Sequence, residues 1–367
     1  MFFATIPTPD PLGYGLEPWL LQGLSYLTLT LHLLAMNFTV GSLLLLLWVR
    51  WRKPHGQDSL MAFFKGGLPL GMSYVITFGV PPLLFVQVLY GQMFYTSSVL
   101  IGFHWILVIP LVLFAYGVFY YNKLTKNPHS MRVSAWLLAG LTAALLVGFF
   151  WVNNITLSMT PDRWAEMYQR NPGGATLNWH EPTLLPRFFL IISPALVVAG
   201  LALVIRSTFL RRWNHPATAQ ASFALGRKAM LLGIAFEILA AGALIATLPE
   251  KIRTLVLTPG MPMVLLLAGA LLIAAGFLLA LTSGKGRSLL NPILAALHVA
   301  LGVGALVALR DQVRLAYLSD YFSLDSVPVH TQWGVFIVFA GSLVAGLLFL
   351  VVLLVKVLPG MAQKAQA

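Results

Sequence analysis

Five histidines fall inside or at the edge of long apolar stretches. His32 sits in LTLHLLAMNF, His104 in IGFHWILVIP and His298 in LAALHVALGV, while His180 and His330 stand just before two further stretches. An ionisable side chain in hydrocarbon costs roughly 2.5–3.5 kcal/mol or more, so each needs a reason. The chain has no cysteine, which excludes disulfides, iron–sulfur clusters, thiolate metal sites and covalently attached c-type haem. Imidazoles presented from facing helices, with almost no buried carboxylate beside them, suit the axial positions of b-type haem. For any one histidine the plainer reading is a hydrogen-bonded packing or interfacial residue. As a set they point to haem iron held by His32, His104, His180 and His298.

Other groups could add chemistry. Glu237, in LLGIAFEILAAG, is the only carboxylate well inside an apolar stretch. It reads as a proton relay or internal counter-charge, or as a glutamic acid kept protonated at a crevice. Met263, just after Met261, opens another stretch; methionine is usually core packing, and it is also an axial haem ligand. Arg310 could pair with a haem propionate, a solvated pair with its neighbour Asp311 being the simpler reading. His55, His129 and His215 lie in basic connections and read as solvated.

The elements that must position these side chains follow from composition. Hydrophobic residues make up 59% of the 367 and charged residues 9%, against about 25% charged in a typical soluble domain. That excludes a soluble domain and a disordered chain. Uninterrupted apolar runs also exclude a porin-like barrel, whose strands alternate. The pattern predicts an all-α, polytopic membrane protein with nine helices near 18–49, 67–92, 99–121, 133–154, 184–205, 227–248, 261–282, 289–309 and 332–357. Residues 1–367 form one integral membrane domain, and the N-terminus lacks the basic start and cleavage site of a signal peptide.

The net charge of +12 comes from 23 Lys and Arg against 11 Asp and Glu. On a soluble protein it would suggest nucleic acid. Sorted along nine helices with the N-terminus outside, sixteen of the 23 basic residues fall on one side, the side of Arg50, Lys123, Arg206 and Lys285. Nine of the 11 acids fall on the other. The positive-inside rule then predicts N-out, C-in topology in a bacterial inner membrane, and no nucleic-acid partner.

Several of these segments resemble subunit I of cytochrome bd quinol oxidase. YLTLTLHLLAMNFTVGSLLLL is similar to that family's first helix, in which a haem-ligating His is followed nine residues later by Gly; here these are His32 and Gly41. FGVPPLLFVQVLYG resembles its second helix at Gly79, Val80, Tyr90 and Gly91, with Gln87 where the family has an acid. FFWVNNITLSMTP resembles the exit of its fourth helix, and NWHEPTLLPRFFLIISPALVVAG its fifth, whose first-turn His ligates haem b; here that is His180. ALGRKAMLLGIAFEI follows the sixth. The resemblance covers roughly residues 20–255, and the helices over about 261–357 diverge. The family's Met ligand corresponds to Met263. The third helix lacks the family's glutamates and has His104 there, the long quinol-binding loop is reduced to residues 249–260, and ALRDQVRLAYL stands where the family has Gly-Arg-Gln-Pro-Trp.

The resemblance implies a haem b-binding subunit of a respiratory electron-transfer complex that oxidises quinol. Two haems are expected, one on His180 with Met263 or His298, the other on His32 with His104 or His298. Saturated axial coordination leaves no open iron position for oxygen. A chain without cysteine carries no c-type haem, so a periplasmic multihaem cytochrome c or another redox subunit is the expected acceptor, docking on the outer segments 154–183 and 310–331. The alternatives are a divergent oxygen-reducing quinol oxidase and a non-redox transporter or membrane scaffold.

Overall fold

A chain in hydrocarbon must satisfy every backbone amide and carbonyl within itself, so long apolar runs become helices. The computed structural model of the protein describes residues 6–53, 56–283 and 288–364, the side chains of 347, 350, 351 and 353–364 excepted. His55, Lys285 and Arg287 lie outside the described residues, as do the side chains of Lys356 and Lys364. The helices are α1 (Pro18–Arg52), α2 (Gln57–Leu89), α3 (Gly91–Leu100), α4 (Gly102–Leu124), α5 (Met131–Ser158), α6 (Trp164–Arg170), α7 (Leu184–Ile192), α8 (Pro194–Arg212), α9 (Pro216–Thr247), α10 (Glu250–Leu257), α11 (Met261–Thr282), α12 (Leu290–Leu318) and α13 (Trp333–Lys364). Among the described residues eight stretches are long and apolar enough to cross a membrane: α1, α2, α4, α5, α7 with α8, α9, α11 and α12. The expected ninth forms α13, whose apolar part Trp333–Gly346 is shorter than a full span among the described residues.

Three boundaries differ widely from the sequence expectation: α9 starts at Pro216 rather than near 227, with Arg227 and Lys228 inside it, and two more have a visible physical cause. Helix α2 starts at Gln57 rather than near 67, because Lys65 does not end it: the ammonium reaches across to the Thr125 carbonyl at 3.0 Å. Helix α12 runs to Leu318 rather than stopping near 309. Arg310, Asp311 and Arg314 therefore stand on a helix, and Asp311 and Arg314 are buried within the bundle rather than solvated in an outer loop. Prolines mark the starts of α1, α8 and α9, where a missing amide costs nothing.

Small residues set the closest crossings, as is usual between membrane helices. A Cβ at Gly41 of α1 would lie 1.9 Å from the Ala195 carbonyl oxygen of α8. The glycine nine residues after His32 thus has a packing reason. One apolar core joins α1, α2, α4, α5, α8 and α9, and a second joins α8, α9, α11 and α12.

The two ends of the bundle differ in chemistry. At one end Arg50, Lys65 and Arg206 bind carbonyls and hydroxyls of neighbouring connections and helix starts. The other end carries an aromatic cap that includes Tyr14, Tyr90, Trp164 and Phe322. There the segment before α1 pairs with the segment before α13: the Tyr14 amide donates to the Pro328 carbonyl at 2.8 Å, and the His330 amide donates to the Tyr14 carbonyl at 2.8 Å.

Candidate functional site

His32 lies half-buried between α1 and α2, with Nδ1 3.0 Å from the Val75 carbonyl oxygen. A carbonyl only accepts, so that contact requires the proton on Nδ1 and leaves the Nε2 lone pair free. The ring rests on Gly79: a Cβ there would come within 3.0 Å of Nδ1 and Cε1. Glycine at 79 is what lets the imidazole sit against α2. His298 repeats the tautomer by another route, since its Nδ1 is 2.8 Å from the Leu294 carbonyl of its own helix. Its Cβ faces Gly276 of α11. An imidazole whose Nδ1–H is held by a backbone carbonyl is oriented to ligate through Nε2.

The other predicted groups behave differently. His104 is half-buried against Phe150, ring centroids 5.1 Å apart, and its Nδ1 is buried without a hydrogen-bond partner. His180 is exposed on a turn before α7, outside the helix's first turn, and His330 is exposed as well. Met263 is half-buried in the first turn of α11, and Met261 is exposed. Glu237 accepts a hydrogen bond from Ser193, at the junction of α7 and α8. It forms no ion pair among the described residues, so it is not a counter-charge to an arginine there.

His32, His104 and His298 are thus distributed over three helix pairs. Their depths also differ. His32 is about 9 Å inward of Tyr26 along α1, and His298 about 20 Å inward of Asp311 along α12. Among the described residues no three of His, Asp and Glu gather as a metal site. His32 and His298 differ by about 11 Å in depth, so the structure does not bring these two imidazoles to face one another as a pair.

The densest polar network lies elsewhere, at the aromatic end. Asp311, 5% exposed, accepts on Oδ2 from Gln22 Nε2 at 2.9 Å and from the Tyr26 hydroxyl at 2.8 Å. On Oδ1 it accepts from the Tyr90 hydroxyl at 2.9 Å and faces Arg314 Nη1 at 3.6 Å. The Arg314 guanidinium carbon stands 4.6 Å over the Tyr90 ring. Burial first, and then the Asp311 charge, hold the Tyr90 phenol well above its ordinary value, so it remains a donor. Arg187, on the first turn of α7, donates through Nε to the Thr183 hydroxyl at 3.0 Å and stands 5.6 Å over the Tyr317 ring. Arg310 makes no hydrogen bond or ion pair among the described residues, so the expected pairing with Asp311 is taken by Arg314 instead.

Sequence reasoning did not assemble this network. The available signal was the helical spacing of Arg310, Asp311, Arg314 and Tyr317, continuous with buried Val307, Leu309, Val313 and Leu318. Gln22, Tyr26 and Arg187 carried no distinguishing signal, and Tyr90 stood out only as part of the segment that resembles the second helix. Two surface cavities, of about 380 and 250 Å³, open at the basic end; the first is lined by Trp48, Gln220 and Lys228 and the second by Asp58, Lys65 and His129. No protein family model and no curated protein matches the chain.

Proposed function

We propose that the chain is a haem b-binding subunit of a membrane electron-transfer complex, oxidising quinol and passing electrons to a periplasmic redox partner. The observation that carries this reading is the shared tautomer of His32 and His298, each with Nδ1 on a backbone carbonyl and Nε2 free. In this reading both supply axial imidazoles, and His104, His180 and Met263 are the further ligands that the resemblance to cytochrome bd subunit I suggests. Haem held there would supply one-electron chemistry. The chain's own part is orientation: the Val75 carbonyl and Gly79 fix His32, and Leu294 fixes His298. The N-out, C-in orientation in a bacterial inner membrane belongs to the same proposal, supported by the gathering of Arg50, Lys65 and Arg206 at one end.

A reduced-minus-oxidised optical spectrum of the purified protein tests it. Bands of b-type haem are expected, with about half lost in His32→Ala if there are two haems. A colourless protein, or full haem content in both His32→Ala and His298→Ala, overturns the assignment. Strong carbon monoxide binding would reveal an open iron position and favour the oxygen-reducing relative.

A further inference from the structure

Three arginines meet near one carboxylate at the aromatic end of the bundle. Arg187 and Arg314 are 8% and 5% exposed. Arg310 is half-buried and within Coulombic range of Arg314, Arg187, Asp311 and Tyr90. Asp311 is already occupied by Gln22, Tyr26 and Tyr90 and faces only Arg314 within ion-pair distance. Glu181 reaches Arg187 indirectly: the Thr183 hydroxyl that accepts from Arg187 donates to Glu181 Oε1 at 2.7 Å. Even with Glu181 included, cations outnumber anions here.

The donors are also unsatisfied. Arg187 Nη2 is buried with no hydrogen-bond partner, the Tyr317 hydroxyl standing beside it outside hydrogen-bond geometry. Arg310 offers its whole guanidinium, with no hydrogen bond or ion pair among the described residues. An unpaired buried charge is strongly disfavoured unless something completes it. Guanidinium forks match oxyanions, which accept two parallel N–H bonds.

The arginines also come from facing walls. The inner half of α12 lies against α11, where Ala295 and Val299 meet Gly276, whereas its outer half shares an apolar cluster with α10 through Leu309 and Val313. Across the outer half, Arg187 of α7 reaches towards α12 by standing over Tyr317.

We propose that Arg187, Arg310 and Arg314 form an oxyanion-binding site in the outer half of the bundle, with Asp311 as the fixed scaffold that orients Arg314. The oxyanion is carried by a membrane-embedded ligand: the phosphate of an anionic phospholipid or the carboxylates of a porphyrin cofactor. The second source rests on the cytochrome reading above; the first does not.

Full-length protein in neutral detergent separates the two. In the first arm, the thermal unfolding midpoint is followed by tryptophan fluorescence with added phosphatidylglycerol or phosphatidylcholine. A phospholipid site predicts stabilisation by phosphatidylglycerol alone, lost in Arg187→Gln/Arg310→Gln and partly kept in Arg310→Lys, which retains charge without the fork. In the second arm, haem content and midpoint potential are measured in neutral lipid. A carboxylate source predicts unchanged haem content and a lower potential in Arg310→Gln, since a cation near the iron favours the reduced state, with Arg310→Lys restoring most of it. If phosphatidylglycerol stabilises wild type and the double variant alike, or has no effect while the potential is also unmoved, the proposal is overturned. A protein that binds no haem yet passes the first arm refutes the cytochrome reading and leaves this site standing.

Discussion

Buried and half-buried arginines stand at both ends of the bundle, and two pairs of them, Arg50 with Arg206 and Arg187 with Arg310, are treated in opposite ways. At the basic end Arg50 donates to the carbonyls of Pro128 and Ser130 and to the Ser134 hydroxyl, and Arg206 donates to the Ser59 carbonyl and to the hydroxyls of Ser59 and Ser222. Every partner there is neutral and fixed, so the arginine ties a connection to a helix end and has little capacity left over. At the aromatic end Arg187 leaves a buried nitrogen unpartnered and Arg310 makes no hydrogen bond or ion pair among the described residues. Saturation separates these two pairs; Arg211 at the basic end also leaves a buried Nη1 unpartnered, but it stands over the Phe223 ring, apart from the arginines gathered around Asp311. Saturated arginines mark structure; several unsatisfied ones gathered around one carboxylate mark a place prepared for something else.

The largest effect expected from this contrast lies at Asp311. Removing one partner of a buried ion pair costs about 3–5 kcal/mol. Asp311→Asn leaves three arginines without their one buried anion and turns an acceptor of three hydroxyl and amide donors into a weaker one. Chemical or thermal unfolding in detergent should show that loss, and Asp311→Asn/Arg314→Gln should recover part of it. A loss no greater than that of an exposed substitution would mean the aromatic end is wet and the contrast is false. Next comes Arg50→Ala, which removes the donor to the Pro128 carbonyl and one of the donors to the Ser130 carbonyl; bonds to a charged donor contribute about 1.5–3 kcal/mol, and that loss should not depend on added anion. An Arg50→Ala loss that grows with added phosphatidylglycerol would show that both ends bind anions.

The fold was far more legible in the sequence than the site. Apolar runs of twenty residues have one outcome in lipid, so the helices could be located from composition, and Arg50, Lys123 and Arg206 at one end followed from charge sorting. Boundaries were lost where a charge lies on a helix. Lys65 and Arg310 read as ends of spans, because nothing local distinguishes a solvated charge from one satisfied by a residue far along the chain. Lys65 is satisfied by Thr125, and Asp311 by Gln22, Tyr26 and Tyr90. The histidines stood out because they interrupt apolar runs. Their tautomers did not, since Val75 and Leu294 act through backbone carbonyls that every residue carries. The glycines of the resembling segments gained physical content: Gly41 admits the Ala195 carbonyl, and Gly79 admits the His32 ring.

The smallest effect tests the aromatic end by pH. Tyr14, in the aromatic cap, donates to the Leu89 carbonyl at 3.0 Å, and burial pushes its phenol from 10.0 up to about 12. The unfolded chain ionises this tyrosine near 10 while the folded chain keeps the proton, so the native state binds more protons across that interval and stability falls as pH rises from 10 to 12. Below pH 10 the contribution is fully present. Tyr14→Phe should therefore flatten the alkaline loss seen in unfolding midpoints between pH 10 and 12, at a modest cost at neutral pH from the missing hydrogen bond, about 0.5–1.5 kcal/mol. If Tyr14→Phe keeps the wild-type slope, the cap is open to solvent, and the aromatic end loses the dryness that makes its unpartnered arginines unusual.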